Sequence, residues 1–274
     1  MVKVDKALLP TIVLNTGAPQ GCVPSPFLYI LYTNDCQSLL ATTHYFKYAD
    51  DTAILALLNE DKDSFLDYQR STAHFSTWCE DNFLHLNILK TKELVFSTSK
   101  IQIHASSIII NGEIVERVEH FKYLGIILDQ NLDFNQHTLG VYKRCQQRLT
   151  AIRKLRHLSV QPRLLLLLYR SIIEPVLTYG AICFFHMLTV INRNKFLKIT
   201  HLASKIIGIT TPSLSDIVST LILRKAQKIL NDSEHPLHKY FILLPSGRRY
   251  RLPMCRKAKF SKSFVPVSIR TLNT

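Results

Sequence analysis

FKYADDTAILALL, residues 46–58, is the most informative stretch of this sequence because it places two adjacent carboxylates inside an apolar segment. Asp50 and Asp51 are preceded by an aromatic run and followed by an apolar one, which predicts a β-hairpin with the aspartates at its bend. Adjacent carboxylates resist joint ionisation unless a cation lies beside them. A rigid pair of oxygen ligands suits Mg²⁺ or Mn²⁺. The stretch therefore predicts a metal site, with a solvated turn as the plainer alternative.

Strands and helices are predicted to alternate up to about residue 130. Ser25-Pro26 followed by FLYILY predicts a buried helix of about three turns. Apolar positions from Phe65 to Phe83 recur every three or four residues, which indicates a second helix. Short apolar or β-branched runs predict further strands at 11–14, 94–96, 101–103, 107–112 and 121–128.

The apolar period becomes helical from about residue 136. One stripe consists of Cys145, Leu149, Ile152 and Leu155. Helices are also predicted at 163–179 and 190–208, with a less regular region and a basic tail after Pro212. The sequence therefore predicts an α+β protein with a mixed region at 1–130, a helical region at 131–210 and a basic C-terminal region at 211–274.

The formal net charge of +14 is unevenly distributed. No acidic residue occurs between Asp133 and Glu174, and none follows Glu234. The first of these gaps contains Lys143, Arg144, Arg148, Arg153, Lys154, Arg156, Arg163 and Arg170. Such asymmetry favours a polyanionic partner, either an RNA/DNA duplex or a single-stranded nucleic acid, over a merely solvated basic face.

Cysteine usage and hydropathy indicate the compartment. The six cysteines form no C-x-x-C pair, which favours reduced thiols in an intracellular protein, cytoplasmic or nuclear. The apolar segment 164–185 is interrupted by Arg170, Glu174 and Pro175, so a buried helix is predicted there and no membrane span.

Four blocks together carry a resemblance to a known family. YADD at 48–51 resembles the catalytic hairpin of reverse transcriptases, and GAPQGCVPSPFLYILYTND (17–35) resembles the family's G-x-P-Q-G-x-x-x-S-P block. LNILKTKELVF (86–96) and FKYLGIIL (121–128) resemble its N-x-x-K-T block and its primer-gripping strand. The alanine of YADD resembles the non-LTR (LINE-type) retrotransposon enzymes, and the likeness continues to about residue 253.

The resemblance implies a partial polymerase palm, an antiparallel sheet with packed helices, followed by a helical thumb. It implies two-metal nucleotidyl transfer with Mg²⁺ or Mn²⁺ held by Asp50 and Asp51, and Tyr48 under the primer end. Lys90 would donate a proton to the leaving pyrophosphate, with Lys92 as an alternative. The nucleotide and template pocket would involve Gly17, Pro19, Gln20, Gly21 and Ser25.

The resemblance also implies two surfaces for nucleic acid. Phe121, Tyr123, Leu124 and Gly125 would form the primer grip, although an ordinary core strand is the alternative reading. The thumb would follow the duplex backbone with Lys143, Arg144, Arg148, Arg153, Lys154 and Arg156.

The family's first catalytic aspartate block and its fingers are expected well upstream of Gly17, which only sixteen residues precede here. The resemblance therefore implies a chain truncated before that block, holding metal weakly and binding a dNTP only if the fingers are supplied. Such a chain is expected to be inactive alone while retaining nucleic-acid binding.

A second resemblance concerns residues 117–153, which are similar to the N-terminal segment of an AlkB-homologue alkylated-DNA-repair protein. A dioxygenase of that kind needs two histidines and a carboxylate around iron. None of the eleven histidines is followed two residues later by Asp or Glu, and no G-x-G nucleotide turn is present, so neither dioxygenase nor methyltransferase activity is predicted.

Overall fold

The computed structural model describes residues 21–59, 62–96 and 107–274, together with the backbone of residues 3–4 and 7–8. The strands predicted at 11–14 and 101–103 lie outside these residues. The chain divides into two compact units, Met1–Glu93 with Gln102–Arg117, and Leu94–Ile101 with Val118–Thr274. Helices combine with small, mostly antiparallel sheets, so the α+β class is confirmed.

The first unit combines two helices with short paired strands. The helices are α1 (Ser25–Tyr32) and α2 (Lys62–Asp81). The strands are β1 (Lys3–Val4), β2 (Ala7–Leu8), β3 (Thr43–Tyr48), β4 (Asp51–Ala56), β5 (Lys92–Glu93), β6 (Ile109–Ile110), β7 (Glu113–Ile114) and β8 (Glu116–Arg117). The pairs β1–β2, β3–β4 and β6–β7 are antiparallel, whereas β5–β8 is parallel.

Helix α2 follows the predicted periodicity and supports β3. The Tyr45 ring of β3 meets Phe75 of α2 edge-on at 5.6 Å, and the Tyr45 hydroxyl donates to the Ser71 carbonyl at 2.7 Å. Phe83, predicted as the last position of the apolar stripe, instead lies beyond the helix with a φ of +54° and is 90% exposed.

Helix α1 corrects the prediction of a buried three-turn helix. Pro26 lies in its first turn as expected, but the helix has eight residues and none of them is buried. Phe27, Ile30 and Leu31 are more than three-fifths exposed. Hydropathy alone therefore gave the wrong environment for this segment within its unit.

The second unit begins with one hairpin and continues as helices. The strands are β9 (His120–Tyr123) and β10 (Ile126–Asp129). The α-helices are α3 (Asn135–His157), α4 (Pro162–Ile172), α5 (Glu174–Thr178), α6 (Ala181–Phe184), α7 (Val190–Ile207), α8 (Leu214–Leu230), α9 (Ala258–Ser261) and α10 (Phe264–Leu272). Short 3₁₀ turns span Phe185–Met187 and His238–Tyr240.

The core of this unit lies between α3, α4 and α7. Cys145, Leu149 and Ile152 are fully buried, which confirms the predicted stripe on α3, while Leu155 packs at its edge. Helix α7 occupies the predicted range. The single helix predicted at 163–179 breaks at Ile173, because Pro175 lacks the N–H that a continuous helix would direct at a preceding carbonyl.

Two further predictions for this unit are wrong. FKYLGIIL is not one strand but a hairpin, since Leu124 and Gly125 have φ values of +45° and +84° and reverse the chain. The region after Pro212 is not irregular, because Leu214–Leu230 is helical.

Within the described residues, no helix alone has the length and apolar content required to cross a membrane. The bent pair Pro162–Thr178 and Ala181–Met187 meets that requirement only jointly. Leu165, Tyr169 and Ile173 of the first of these segments are buried in the core of the second unit.

Candidate metal and nucleic-acid site

The predicted hairpin is present, with Asp50 in its bend and Asp51 at the start of β4. Strands β3 and β4 pair along six residues, from Thr43 opposite Ala56 to Tyr48 opposite Asp51. Both carboxylates are exposed, and Tyr48 beside them is 65% exposed. The bend therefore presents two anionic groups and one aromatic ring to solvent.

Strand β3 of the hairpin is anchored both near the bend and at its base. The Lys47 ammonium donates to the carbonyls of Thr33 and Cys36, the latter at 2.9 Å. The buried Thr43 hydroxyl lies 2.8 Å from that of Ser71. These contacts fix β3 to the segment after α1 and to α2, so the bend that carries the carboxylates is supported by the rest of the unit.

Neither carboxylate of the pair has a cationic partner among the described residues. The pKa of Tyr29 on α1 is raised, first by its burial and then by the carboxylate of Asp50. Ion pairs among the described residues join Arg70 to Asp67, Lys92 to Glu116 and Arg117 to Glu93, and none involves Asp50 or Asp51.

The donor set fits a hard divalent cation in part. Two carboxylates supply oxygen ligands, and Mg²⁺ commonly retains several waters. Across residues 21–59, 62–96 and 107–274, no group of three or more His, Cys, Asp or Glu side chains could hold a metal ion. The hairpin therefore provides two carboxylate ligands, and the described residues provide no third one beside them.

The predicted nucleotide pocket is only partly described. Gly17, Pro19 and Gln20 lie outside the described residues. Gly21 has a φ of +78° with open space around it, and Ser25 begins α1. The role of these residues stays a prediction.

Lys90 and Lys92 differ in their contacts. Lys90 is exposed in a turn, where its backbone N–H donates to the side-chain oxygen of Asn87 at 3.1 Å. Lys92 lies on β5, and its ammonium pairs with Glu116 at 2.5 Å. The ammonium of Lys92 is thus engaged, while that of Lys90 has no ion-pair partner among the described residues.

Of the residues predicted as the primer grip, Phe121 and Tyr123 lie on β9, and Leu124 and Gly125 form the bend of the β9–β10 hairpin in the second unit. The Tyr179 hydroxyl donates to the Leu124 carbonyl at 2.7 Å. A β-carbon on Gly125 would come within 3.2 Å of the Tyr179 ring. Phe121, Tyr123, Leu124 and Gly125 are all half-buried, so part of their surface stays accessible.

The cations predicted to follow a nucleic-acid backbone lie on α3, with one difference in role. Lys143, Arg144, Arg153, Lys154 and Arg156 are exposed, and none has a carboxylate partner in the described parts of the chain. Arg148 is half-buried, and its guanidinium donates to the Ile172 carbonyl at the end of α4. The position of Arg148 is therefore explained by packing between α3 and α4.

A groove of about 300 Å³ separates the β9–β10 hairpin from α3. Its cations are Lys122, Lys143 and Arg144, and its lining also includes His137 and Gly140. Burial, with a smaller effect of Arg144, lowers the pKa of His137 to about 4. Sequence reasoning missed Lys122, His137 and Gly140; the available signal was a glycine inside a helical pattern close to two cations.

Comparison with protein families gives two matches. Residues 3–128 match the family described as reverse transcriptase (RNA-dependent DNA polymerase). Residues 134–175 match the family described as alkylated DNA repair protein alkB homolog 8, N-terminal. The second match was expected at 117–153, and it is confirmed; the matched range overlaps the expected one over 134–153 and continues to residue 175, across α3 and α4.

Comparison with curated proteins gives relatives among mobile elements. The chain is 30% identical over 194 residues to a probable RNA-directed DNA polymerase from transposon BS of Drosophila melanogaster. The alignment covers 66% of this chain and 21% of the transposon protein. It is 28% identical over 177 residues to the RNA-directed DNA polymerase from mobile element jockey of the same species. That alignment covers 60% of this chain and 19% of the jockey protein. The chain thus spans about a fifth of the length of these relatives. No solved structure matches significantly.

Proposed function

Residues 3–128 belong to the reverse transcriptase family, in the branch found in non-LTR retrotransposons, and on this premise we propose that the chain supplies the metal-binding hairpin and a nucleic-acid-binding surface of an RNA-directed DNA polymerase. The first unit corresponds to part of the palm, and α3 to α7 correspond to the thumb. The observation that carries the proposal is the pair Asp50–Asp51 at an exposed, anchored bend.

In this function Asp50 and Asp51 hold Mg²⁺ or Mn²⁺. The bound ion would favour attack of a primer 3′ oxygen on the α-phosphorus of a dNTP and departure of pyrophosphate. Tyr48 supports the primer end with its exposed ring. Lys90, whose ammonium has no ion-pair partner among the described residues, donates a proton to the pyrophosphate.

The unpaired cations of α3 bind the phosphate backbone of the template–primer duplex. Lysine and arginine contacts to phosphates fix position without reading sequence. Their attraction for nucleic acid falls steeply with salt because binding releases condensed counterions. The primer-grip hairpin at Phe121–Gly125 would lie against the same duplex.

We further propose that the 274-residue chain alone binds nucleic acid without extending a primer. Two-metal catalysis needs ligands that clamp both the attacking and the leaving oxygen. Asp50 and Asp51 have no third ligand beside them in the described residues. Incorrect positioning alone lowers such rates by orders of magnitude.

Two measurements on the full chain test the proposal. Primer extension on an RNA template with Mg²⁺ or Mn²⁺ should give no product, while the anisotropy of a labelled RNA–DNA duplex should report salt-sensitive binding. If the unmodified chain extends the primer and Asp50→Asn does not, the chain alone is catalytic and this hairpin is its active site. Extension that persists in Asp50→Asn would have another source, and affinity that is insensitive to salt would refute the electrostatic surface.

The match to the alkB homolog 8 family supports no second function. Its residues form α3 and α4, which this proposal assigns to the thumb. The histidines in that range, His137 and His157, are each followed two residues later by leucine or serine, so neither begins the histidine–x–carboxylate element of an iron dioxygenase.

A further inference from the structure

Residues 241–252 form a short hairpin in the second unit, here called the C-terminal hairpin. Leu243 pairs with Tyr250 in antiparallel orientation, and the Arg251 N–H donates to the Ile242 carbonyl at 2.7 Å. Successive side chains of an extended strand point to opposite faces. The pairing therefore divides the C-terminal hairpin into two faces of different character.

One face of the C-terminal hairpin packs against the protein. Phe241 is 6% exposed, and its ring meets that of Tyr250 edge-on at 6.3 Å, in a cluster that includes Ile229 and Ile269. The Asn273 side chain accepts from the Tyr250 N–H at 2.8 Å and donates to the Tyr250 carbonyl at 2.9 Å. These contacts hold the hairpin in place from this side.

The other face of the C-terminal hairpin, here called the arginine face, combines aliphatic and cationic side chains. Ile242 and Leu244 are exposed on the first strand. Arg249 and Arg251 are exposed on the second, and neither has a carboxylate partner in the described parts of the chain. The register places Leu244 opposite Arg249 and Ile242 opposite Arg251, so each aliphatic side chain has an arginine beside it.

Nucleic acid would cover this face poorly. Bases of a single strand stack on aromatic rings, but Phe241 and Tyr250, the aromatic residues of the C-terminal hairpin, belong to the packed face. Phosphates alone would satisfy the two arginines and leave Ile242 and Leu244 exposed to water. The aliphatic side chains therefore favour a partner that has apolar groups as well as negative charge.

A second copy of the chain is also a poor partner for the arginine face. In a symmetric dimer the same surface of both copies meets. The arginines of the two copies would then face each other in a protein whose formal net charge is already +14. The charge therefore favours a partner of different composition.

We propose that the arginine face binds an acidic segment of a partner protein. Carboxylates of that segment pair with Arg249 and Arg251, since a guanidinium can donate two parallel hydrogen bonds to one carboxylate. Its aliphatic side chains contact Ile242 and Leu244 and exclude water from the ion pairs. This interaction involves neither Asp50–Asp51 nor α3, so it does not rest on the proposed polymerase function.

A labelled octapeptide of two glutamate–glutamate–valine–valine repeats serves as the probe, because each side of it carries both residue types when it is extended. Its fluorescence anisotropy reports binding to the full chain. Two further peptides separate the contributions. One has serine in place of valine and keeps the charge, and the other has glutamine in place of glutamate and keeps the shape. Both should bind more weakly than the parent peptide.

Two substitutions on the arginine face should weaken binding in different ways. Arg251→Gln removes a charge-assisted contact, so affinity should fall about tenfold and depend less on salt. Ile242→Ser removes apolar contact, so affinity should fall about threefold with the salt dependence unchanged. Arg163→Gln, at an exposed position on α4, makes the same change in net charge as Arg251→Gln and should bind the peptide normally. Melting temperatures identify any misfolded variant, and Arg249→Gln then replaces Arg251→Gln.

Selective loss of affinity in Arg251→Gln and Ile242→Ser supports the proposal. Equal loss in Arg163→Gln, equal binding of the serine peptide, or no binding of the parent peptide at millimolar concentration overturns it. A labelled single-stranded RNA whose binding alone depends on Arg251 would assign the face to nucleic acid. Dimerisation of the chain that Arg251→Gln abolishes in analytical ultracentrifugation would assign it to a second copy. Each of these two results also overturns the proposal.

Discussion

Tyr48 and Asp51 are the last paired residues of the β3–β4 hairpin, so its bend consists of Ala49 and Asp50 alone. In this register Asp50 lies in the bend and Asp51 is the first residue of β4. The short connection limits how far the two groups can separate when their charges repel each other. A divalent cation is the simplest partner that relieves this repulsion.

Asp50→Asn should weaken binding of Mn²⁺ to the full chain by about tenfold or more, since the charge of the ligands sets divalent-ion affinity. Electron paramagnetic resonance of free Mn²⁺ during a titration measures it directly. Asp216→Asn, an exposed carboxylate at the start of α8, serves as the control. Equal affinities for the two variants would contradict a metal site at the hairpin.

Ala49→Gly should increase the free energy of unfolding by about 0.5–1 kcal/mol. Ala49 has a φ of +50°, a conformation that costs a residue with a β-carbon about 1–2 kcal/mol and that glycine adopts freely. The extra freedom of glycine in the unfolded chain offsets part of this gain. Urea unfolding measures the difference. Ala53→Gly, within β4, should have the opposite sign, and a loss of stability in both variants would show that the bend is unstrained.

The hairpin and the α3 core could be predicted because their signals are local. Two apolar runs around Asp50-Asp51 indicate paired strands, and buried Cys145, Leu149 and Ile152 repeat at helical spacing. Helix α8 carries a comparable signal in Leu214, Val218, Ile222, Ala226 and Ile229. Pro212, two residues before this helix, hides the pattern because proline usually marks the end of a helical segment.

Other features depend on contacts distant in sequence. Leu124 is unfavourable at positive φ, so its local preference favours a continuous strand, and the contact of Tyr179 with its carbonyl contributes to the reversal. The exposure of α1 could not be predicted, because hydropathy does not say whether an apolar face has a partner within its unit. The groove at His137 joins residues from a strand and a helix that no sequence motif links.

Gly125→Ala should destabilise the protein by about 2–3 kcal/mol. Its φ of +84° strains any residue with a β-carbon, and the added methyl would also press on the Tyr179 ring at 3.2 Å. Gly247→Ala isolates the first effect, since Gly247 has a φ of +67° with nothing within 4 Å, and should cost only about 1–2 kcal/mol. Thermal unfolding of both variants measures the difference. Equal losses of stability in the two variants would mean that the Tyr179 ring moves away from the added methyl group at no cost in free energy.

The stability of the protein should fall between pH 6.5 and pH 4 in a manner that depends on His137. Burial first, and then Arg144, lowers the pKa of His137 in the folded protein to about 4, whereas the unfolded chain takes up this proton near 6.5. Between these values the unfolded state binds more protons, so the free energy of unfolding decreases as the pH decreases. Above pH 6.5 the histidine is neutral in both states and contributes no pH dependence.

The lost free energy should be about 1–2 kcal/mol at pH 5, because each pKa unit corresponds to about 1.4 kcal/mol and only part of the interval has been crossed. Urea unfolding at pH 7.5 and pH 5.0 measures it in the full chain. His137→Asn should have a smaller difference between the two pH values. Part of the pH dependence that remains in this variant comes from His186, because burial lowers the pKa of His186 as well. His201→Asn, which alters an exposed histidine on α7, should retain the full difference; if His137→Asn retained it as well, His137 would not be the group that resists protonation.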